Sequence, residues 1–172
     1  LCGANTQFQY GNQRKLKFAD MNMIALPIPP KEDLERIYNG LTKEEWSYFA
    51  GKRIFISGGT GFIGKWLLFA LLEADLRISL NCEIVILTRS PNKFLSSMPY
   101  LANARNITLR EGDVRTFSFP SGLFDIVVHA ATDVVANNTP VETSSTCVEG
   151  TRRILDFARV SEAKDFVLTS SG

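Results

Sequence analysis

Residues 53–66 read Arg-Ile-Phe-Ile-Ser-Gly-Gly-Thr-Gly-Phe-Ile-Gly-Lys-Trp. A β-branched and aromatic run, Arg53 to Ser57, stops at glycine, and an apolar helical pattern through Trp66, Leu67, Phe69, Ala70, Leu71 and Leu72 follows the last glycine. Between them Gly58, Gly61 and Gly64 stand three residues apart. Gly58 permits the tight turn out of a strand, and Gly64 lets the helix pack closely on that strand. Gly61 lets backbone approach a pyrophosphate, to which the helix N-terminus offers amide groups and positive dipole. The placement between strand and helix makes this a dinucleotide loop. It is not a mononucleotide P-loop, because Lys65 is followed by Trp66 and not by Ser or Thr.

Outward from the loop, strand and helix signals alternate. Further strands are predicted at Glu83–Thr88, Ile107–Arg110, Asp125–His129 and Phe166–Thr169, and helices at 94–104 and Glu149–Val160 with Ile154, Phe157 and Ala158 inward. Continuous apolar strands separated by helices mean a parallel sheet covered on both faces. Right-handed crossovers then give the order 3-2-1-4-5, with a crevice at the carboxyl ends near strands one and four.

Residues 1–30 show no sustained period and end in Pro27-Ile28-Pro29-Pro30, the pattern of an extended arm. Leu34, Ile37, Tyr38 and Leu41 recur at helical spacing, and Thr42-Lys43-Glu44-Glu45 reads as a capping box opening a second short helix. The chain thus divides into an arm with short helices (1–50) and a dinucleotide-binding domain (51–172). The helices either pack on that domain or meet a partner.

The chain has 172 residues, 45% of them hydrophobic, and a formal net charge of +1. That size supports one core, and that balance gives no electrostatic footprint for nucleic acid or an anionic membrane. No apolar run approaches the roughly 20 residues that span a bilayer. Cys2, Cys82 and Cys147 are odd in number and lack metal-ligand spacing, so they are expected to be packing residues in a reducing cytoplasm, with neither disulfides nor a metal. One histidine, His129, is expected to be packed or backbone-bonded at a strand end. The opening Leu1-Cys2-Gly3-Ala4 has neither methionine nor a signal-peptide pattern and reads as a processed or trimmed end.

The glycine loop resembles the fingerprint of extended short-chain dehydrogenases/reductases, the NAD-dependent epimerase/dehydratase family of nucleotide-sugar-modifying enzymes. Four other stretches resemble that family in the same order. Gly112-Asp113-Val114 is similar to its adenine-contacting acidic turn, and His129-Ala130-Ala131 to the small-residue segment beneath the cofactor. Val148-Glu149-Gly150-Thr151-Arg152 is similar to the start of its long fourth helix, and Thr169-Ser170-Ser171 to the end of its fifth strand. The resemblance runs from about Gly51 to Gly172.

It implies a Rossmann-type doubly wound sheet ending after strand five, an N-terminal helical extension, and a cofactor site of Gly58, Gly61, Phe62, Ile63, Gly64, Arg89, Asp113, Val114, Ala130, Ala131 and Thr132. The implied cofactor is NAD or NADP, with NADP favoured because Thr88-Arg89-Ser90 stands where an NAD enzyme places a carboxylate for the ribose hydroxyls. Ser171 corresponds to the catalytic serine, whereas the Tyr-x-x-x-Lys pair that the family places some tens of residues beyond that serine is not reached within these residues, so this stretch alone is expected to be inert. The implied activity is that of an epimerase, dehydratase or decarboxylase of a nucleotide sugar, UDP-linked, working as a homodimer at full length. A reductase of a non-sugar carbonyl, a non-catalytic dinucleotide sensor and a structural partner protein remain as alternatives. Cys147 departs from the family, which has asparagine there.

Overall fold

A computed structural model describes residues 29–98, 101, 104–132 and 139–170. Two short helices, α1 (Lys31–Tyr38) and α2 (Lys43–Ser47), precede β1 (Arg53–Ser57), α3 (Phe62–Ile78), β2 (Glu83–Thr88), α4 (Pro91–Ser97) and β3 (Ile107–Glu111). Then come β4 (Ile126–His129), α5 (Pro140–Val160) and β5 (Asp165–Leu168). The five strands form one parallel sheet in the order β3-β2-β1-β4-β5. This is the doubly wound arrangement that the alternating pattern predicts.

The pleat sorts each central strand between two cores. Ile54, Ile56, Ile84, Ile86, Ile126 and Val128 face a layer made with Leu68, Leu71, Phe94 and Met98 from the α3 and α4 side. Phe55, Val85, Leu87 and Val127 face the other way, against Ile154, Phe157 and Ala158 of α5. Because successive residues point to opposite faces, a sheet covered twice needs unbroken apolar runs. Phe55 is the centre of the second core, within 4.5–5.9 Å of the rings of Phe117, Phe124 and Phe157.

Helix α3 is buried almost all round because α1 and α2 cover its outer side. Trp46 of α2 is buried, stacks on Tyr38 with ring centroids 5.9 Å apart, and donates its indole N–H to the Tyr38 carbonyl at 2.8 Å. The capping box of α2 forms, with the Glu45 amide donating to Thr42 Oγ1 and the Thr42 amide donating to the Glu45 carboxylate. Leu34, Ile37 and Tyr38 pack inward as their spacing predicts, but Leu41 lies past the end of α1 and is exposed.

Two helix starts differ from expectation. Helix α4 begins at Pro91, not at 94, because proline suits the first helical position, where the missing N–H is no loss. Helix α5 begins at Pro140, nine residues before Glu149, opened by a second capping box between Thr139 and Glu142. The stretch around Val148 therefore lies in mid-helix, and Cys147 is exposed instead of packed. Cys82 does pack, and burial first, with Asp75 nearby second, pushes its thiol up to about 11. Cys2 and the arm up to residue 28 lie outside the described residues. Among the described residues no helix is long and apolar enough to cross a membrane.

Candidate dinucleotide site

Strand β1 ends at the point where the chain can turn to either side of the sheet: α3 and α4 cover one face and α5 the other. At such a switch the loops after neighbouring strands part and leave a crevice. An open cavity of about 360 Å³ lies there.

Its first wall is the glycine turn. Gly58 sits at φ +77°, and Gly61 caps α3 with φ −77° and ψ 179°. A Cβ on Gly64 would lie 2.2 Å from the Gly58 carbonyl oxygen and 2.5 Å from Gly59 Cα, so only glycine lets α3 start this close to the turn. The Lys65 amide makes the first helical bond, to the Gly61 carbonyl at 3.0 Å. The amides of Phe62, Ile63 and Gly64 therefore precede the helix's own bonding and point from its positive end. Among the described residues no side chain caps this helix.

The other walls come from the ends of the remaining strands. The cavity is lined by Gly58, Gly61, Phe62, Ile63 and Gly64, by Arg89 after β2, by Asp113 and Val114 after β3, and by Ala130, Ala131 and Thr132 after β4. All eleven positions expected of a cofactor site thus meet in one place. Thr60, Leu87, Thr88, Gly112, Thr146 and Thr169 also line it, and all but Leu87 and Thr146 lie in the family-like stretches quoted from the sequence. Thr146 is the inward neighbour of Cys147 on α5, so the polar group this helix offers the cavity sits one residue before the position where the family carries asparagine. Ser171 lies outside the described residues.

Asp113 is the acidic group of the cavity. Its Oδ1 accepts from the Arg115 amide at 2.9 Å and from Arg115 Nε at 2.8 Å, and its Oδ2 accepts from Arg115 Nη2 at 3.0 Å. The Arg115 hydrogen bonds hold the carboxyl below its ordinary 3.8, against the opposing effect of burial, and the Arg89 charge adds to the lowering. The carboxylate is thus ionised and fixed in orientation.

Below the cavity the second core turns polar. Ser57 and His129 are buried where the pleat would place the next apolar pair above Phe55 and Val127. The imidazole sits 2.7 Å from Ser57 Oγ through Nδ1 and 3.0 Å from Thr151 Oγ1 through Nε2. Packed as expected, but bonded to two side-chain hydroxyls and not to backbone, the ring is pushed below its ordinary 6.5 by burial. In the folded chain it stays neutral under conditions where the unfolded chain takes up a proton. Stability should therefore be complete above pH 6.5 and fall as pH drops from 6.5 toward the folded value. Melting temperature followed from pH 7 to pH 5 should show this fall. A His129→Asn variant should lose its part of the slope, and an unchanged slope would assign the acid sensitivity to other groups.

The fold and the convergence of strand ends define a Rossmann-type doubly wound domain. Residues 54–172 match the NAD dependent epimerase/dehydratase family, and the chain belongs to it. Pen from Bacillus thuringiensis is similar in structure, with 25% identity and a TM-score of 0.58 over 71% of this chain and 38% of that one. The terminal R domain from the myxalamid PKS-NRPS biosynthetic pathway is similar at 25% identity and a TM-score of 0.54, over 71% of this chain and 35% of that one. WbmF from Bordetella bronchiseptica, solved with NAD+ and UDP, shares the fold at 17% identity and a TM-score of 0.56, over 73% of this chain and 38% of that one. The chain therefore spans little more than a third of the length of these structures.

Proposed function

We propose that this chain is the cofactor-binding part of an NAD(P)-dependent nucleotide-sugar epimerase, dehydratase or decarboxylase that works as a homodimer at full length. Residues 51–172 form the dinucleotide domain, and α1 and α2 belong to an N-terminal extension packed on it. The observation that carries the reading is a single cavity with an amide-rich helix N-terminus at one place and a fixed carboxylate at another. These groups fit a dinucleotide.

The amides of Phe62, Ile63 and Gly64 hold the pyrophosphate, and the positive end of α3 favours its charge. Asp113, oriented by Arg115, accepts a hydrogen bond from the adenine amino group. Ala130 and Ala131 form a floor without bulk, over which the nicotinamide half extends. When bound, the nicotinamide takes up and returns a hydride. Ser171 orients the substrate oxygen and leaves proton removal to a group with a pKa near neutrality.

Arg89, exposed at the end of β2 and lining the cavity, faces the adenosine ribose and favours NADP through its 2′-phosphate. A charge-assisted contact of this kind contributes about 1.5–3 kcal/mol, about ten- to a hundredfold in affinity. Calorimetric titration of the full-length protein should show NADP bound more tightly than NAD, and Arg89→Ala should remove that preference while leaving NAD affinity within about threefold. Equal binding of both by the unmutated protein would refute the preference, and binding of neither would refute the dinucleotide reading.

A further inference from the structure

Residues 31–52 precede the stretch that matches the family, and the aromatic side chains they carry form a row of their own. Tyr38, Trp46, Phe49 and Tyr48 follow one another with ring centroids 5.9, 6.0 and 5.6 Å apart. One end of the row meets the last turn of α3, where the Arg77 guanidinium lies over the Tyr38 ring at 4.5 Å. The other end meets the first residue of β5, where the Tyr48 hydroxyl donates to the Asp165 carboxylate. We infer that the extension is a brace, which joins α3 to β5 across the amino ends of the strands. Both of the elements it joins reach the cavity at their opposite ends, α3 through Phe62, Ile63 and Gly64 and β5 through Thr169 just beyond it.

Strand β5 has use for such a tie. Among the described strands it pairs with β4 alone, and Val167 and Leu168 are half exposed. Rings suit a brace, because each has only two side-chain torsions to fix and neighbouring rings attract beyond the area they bury. Trp46 anchors the middle of the row, buried and bonded through its indole N–H to the Tyr38 carbonyl. Tyr48 is different. Its ring is half exposed and gains little from burial, so its place is held by the charge-assisted bond to Asp165 and by the Lys52 ammonium over its face. Lys52 carries the tie onward, since its carbonyl accepts the Glu83 amide at the start of β2 at 2.9 Å. The segment that leads into β1 thus holds a strand on each side of β1, and residues 31–50 fold with the sheet and not as an appendage to it.

Amide hydrogen exchange on the full-length protein tests the brace, read by mass spectrometry in β5 (Asp165–Leu168), in α2 (Lys43–Ser47) and in the opposite edge strand β3 (Ile107–Glu111). Tyr48→Phe keeps the ring and removes only the hydroxyl. It should speed exchange in β5 by roughly five- to tenfold, about one net hydrogen bond's effect, while β3 stays within about twofold of the unmutated protein. Asp165→Ala, made on the other side of the contact, should speed exchange in α2 by a similar factor. Combining the two substitutions should add nothing to the larger single effect, because both remove the same bond. Unchanged exchange in β5 for Tyr48→Phe, or in α2 for Asp165→Ala, would overturn the brace. Equal acceleration in β3 would do the same by marking a general loss of stability, and an additive double variant would do so by assigning the two effects to separate contacts.

Discussion

Gly58→Ala should destabilise the chain by roughly 3 kcal/mol or more, the sum of a left-handed backbone and a backbone clash. At φ +77° a side chain is strained whatever the space around it. There is no space either, since the added Cβ would lie 2.3 Å from the Ala130 carbonyl carbon and 2.4 Å from both the Ala130 oxygen and the Ala131 nitrogen. Those atoms cannot retreat, because the Ala130 amide is bonded to the Ser57 carbonyl at the root of the same turn. Gly51 separates the two causes. It has φ +68°, yet a Cβ there meets nothing within 4 Å, so Gly51→Ala should cost only the strain, about 1–2 kcal/mol. Urea unfolding of both variants checks the difference. Equal losses would mean that the β1 turn and the β4 exit are not pressed together as described.

That close approach explains why the site was legible. The letters Gly58, Gly61 and Gly64 mark where backbone meets backbone, and a strand run before them and a helical run after them fix which backbone is meant. The strands were legible for the same reason: Ile54-Phe55-Ile56 and Ile84-Val85-Ile86-Leu87 are apolar at every position because both faces of the sheet are covered. The first turns of α5 were not, although they carry a sign that was read correctly elsewhere. Thr139 and Glu142 form the same capping box as Thr42 and Glu45. It was masked because Val141 and Val148 are exposed and the inward face begins with Thr146 and Gly150, so apolar periodicity appears only near Ile154.

Thr146 and the bond between His129 and Thr151 escaped for a different reason. A hydroxyl's role depends on what the fold sets opposite it, and His129 and Thr151 are brought together by packing of α5 on β4 across 22 residues of chain. Asp113 shows the same limit from the other side. Its acidic turn stands out in the sequence, but the grip of Arg115, two residues on, decides which carboxylate lone pairs remain for a ligand. The arrangement makes the Asp113 charge independent of pH across the neutral range, so loss of adenine binding on mild acidification would have to come from elsewhere in the cavity.

Gly61→Val should do the opposite of Gly58→Ala, leaving the fold nearly intact and removing the dinucleotide. Gly61 has ordinary extended geometry at the cap of α3, and an added Cβ meets only the Gly58 oxygen, at 3.3 Å. The cost to the fold is that of a poor capping residue, about 1 kcal/mol, together with a shift of a few tenths of an ångström that relieves the tight contact with the Gly58 oxygen. For a ligand the change is severe. Gly61 is exposed and lines the cavity at the mouth of the α3 amides, so the new methyl groups occupy the approach of the pyrophosphate. The phosphates cannot move outward without leaving the amides of Phe62, Ile63 and Gly64, and each charge-assisted bond lost is worth about 1.5–3 kcal/mol. Loss of two of them alone exceeds a hundredfold in affinity. Calorimetry on the full-length protein should therefore find no measurable NAD or NADP binding, with a melting temperature within a few degrees of the unmutated protein, about 1 kcal/mol. Unchanged affinity would place the pyrophosphate away from the glycine loop and would remove the main support for the proposed site.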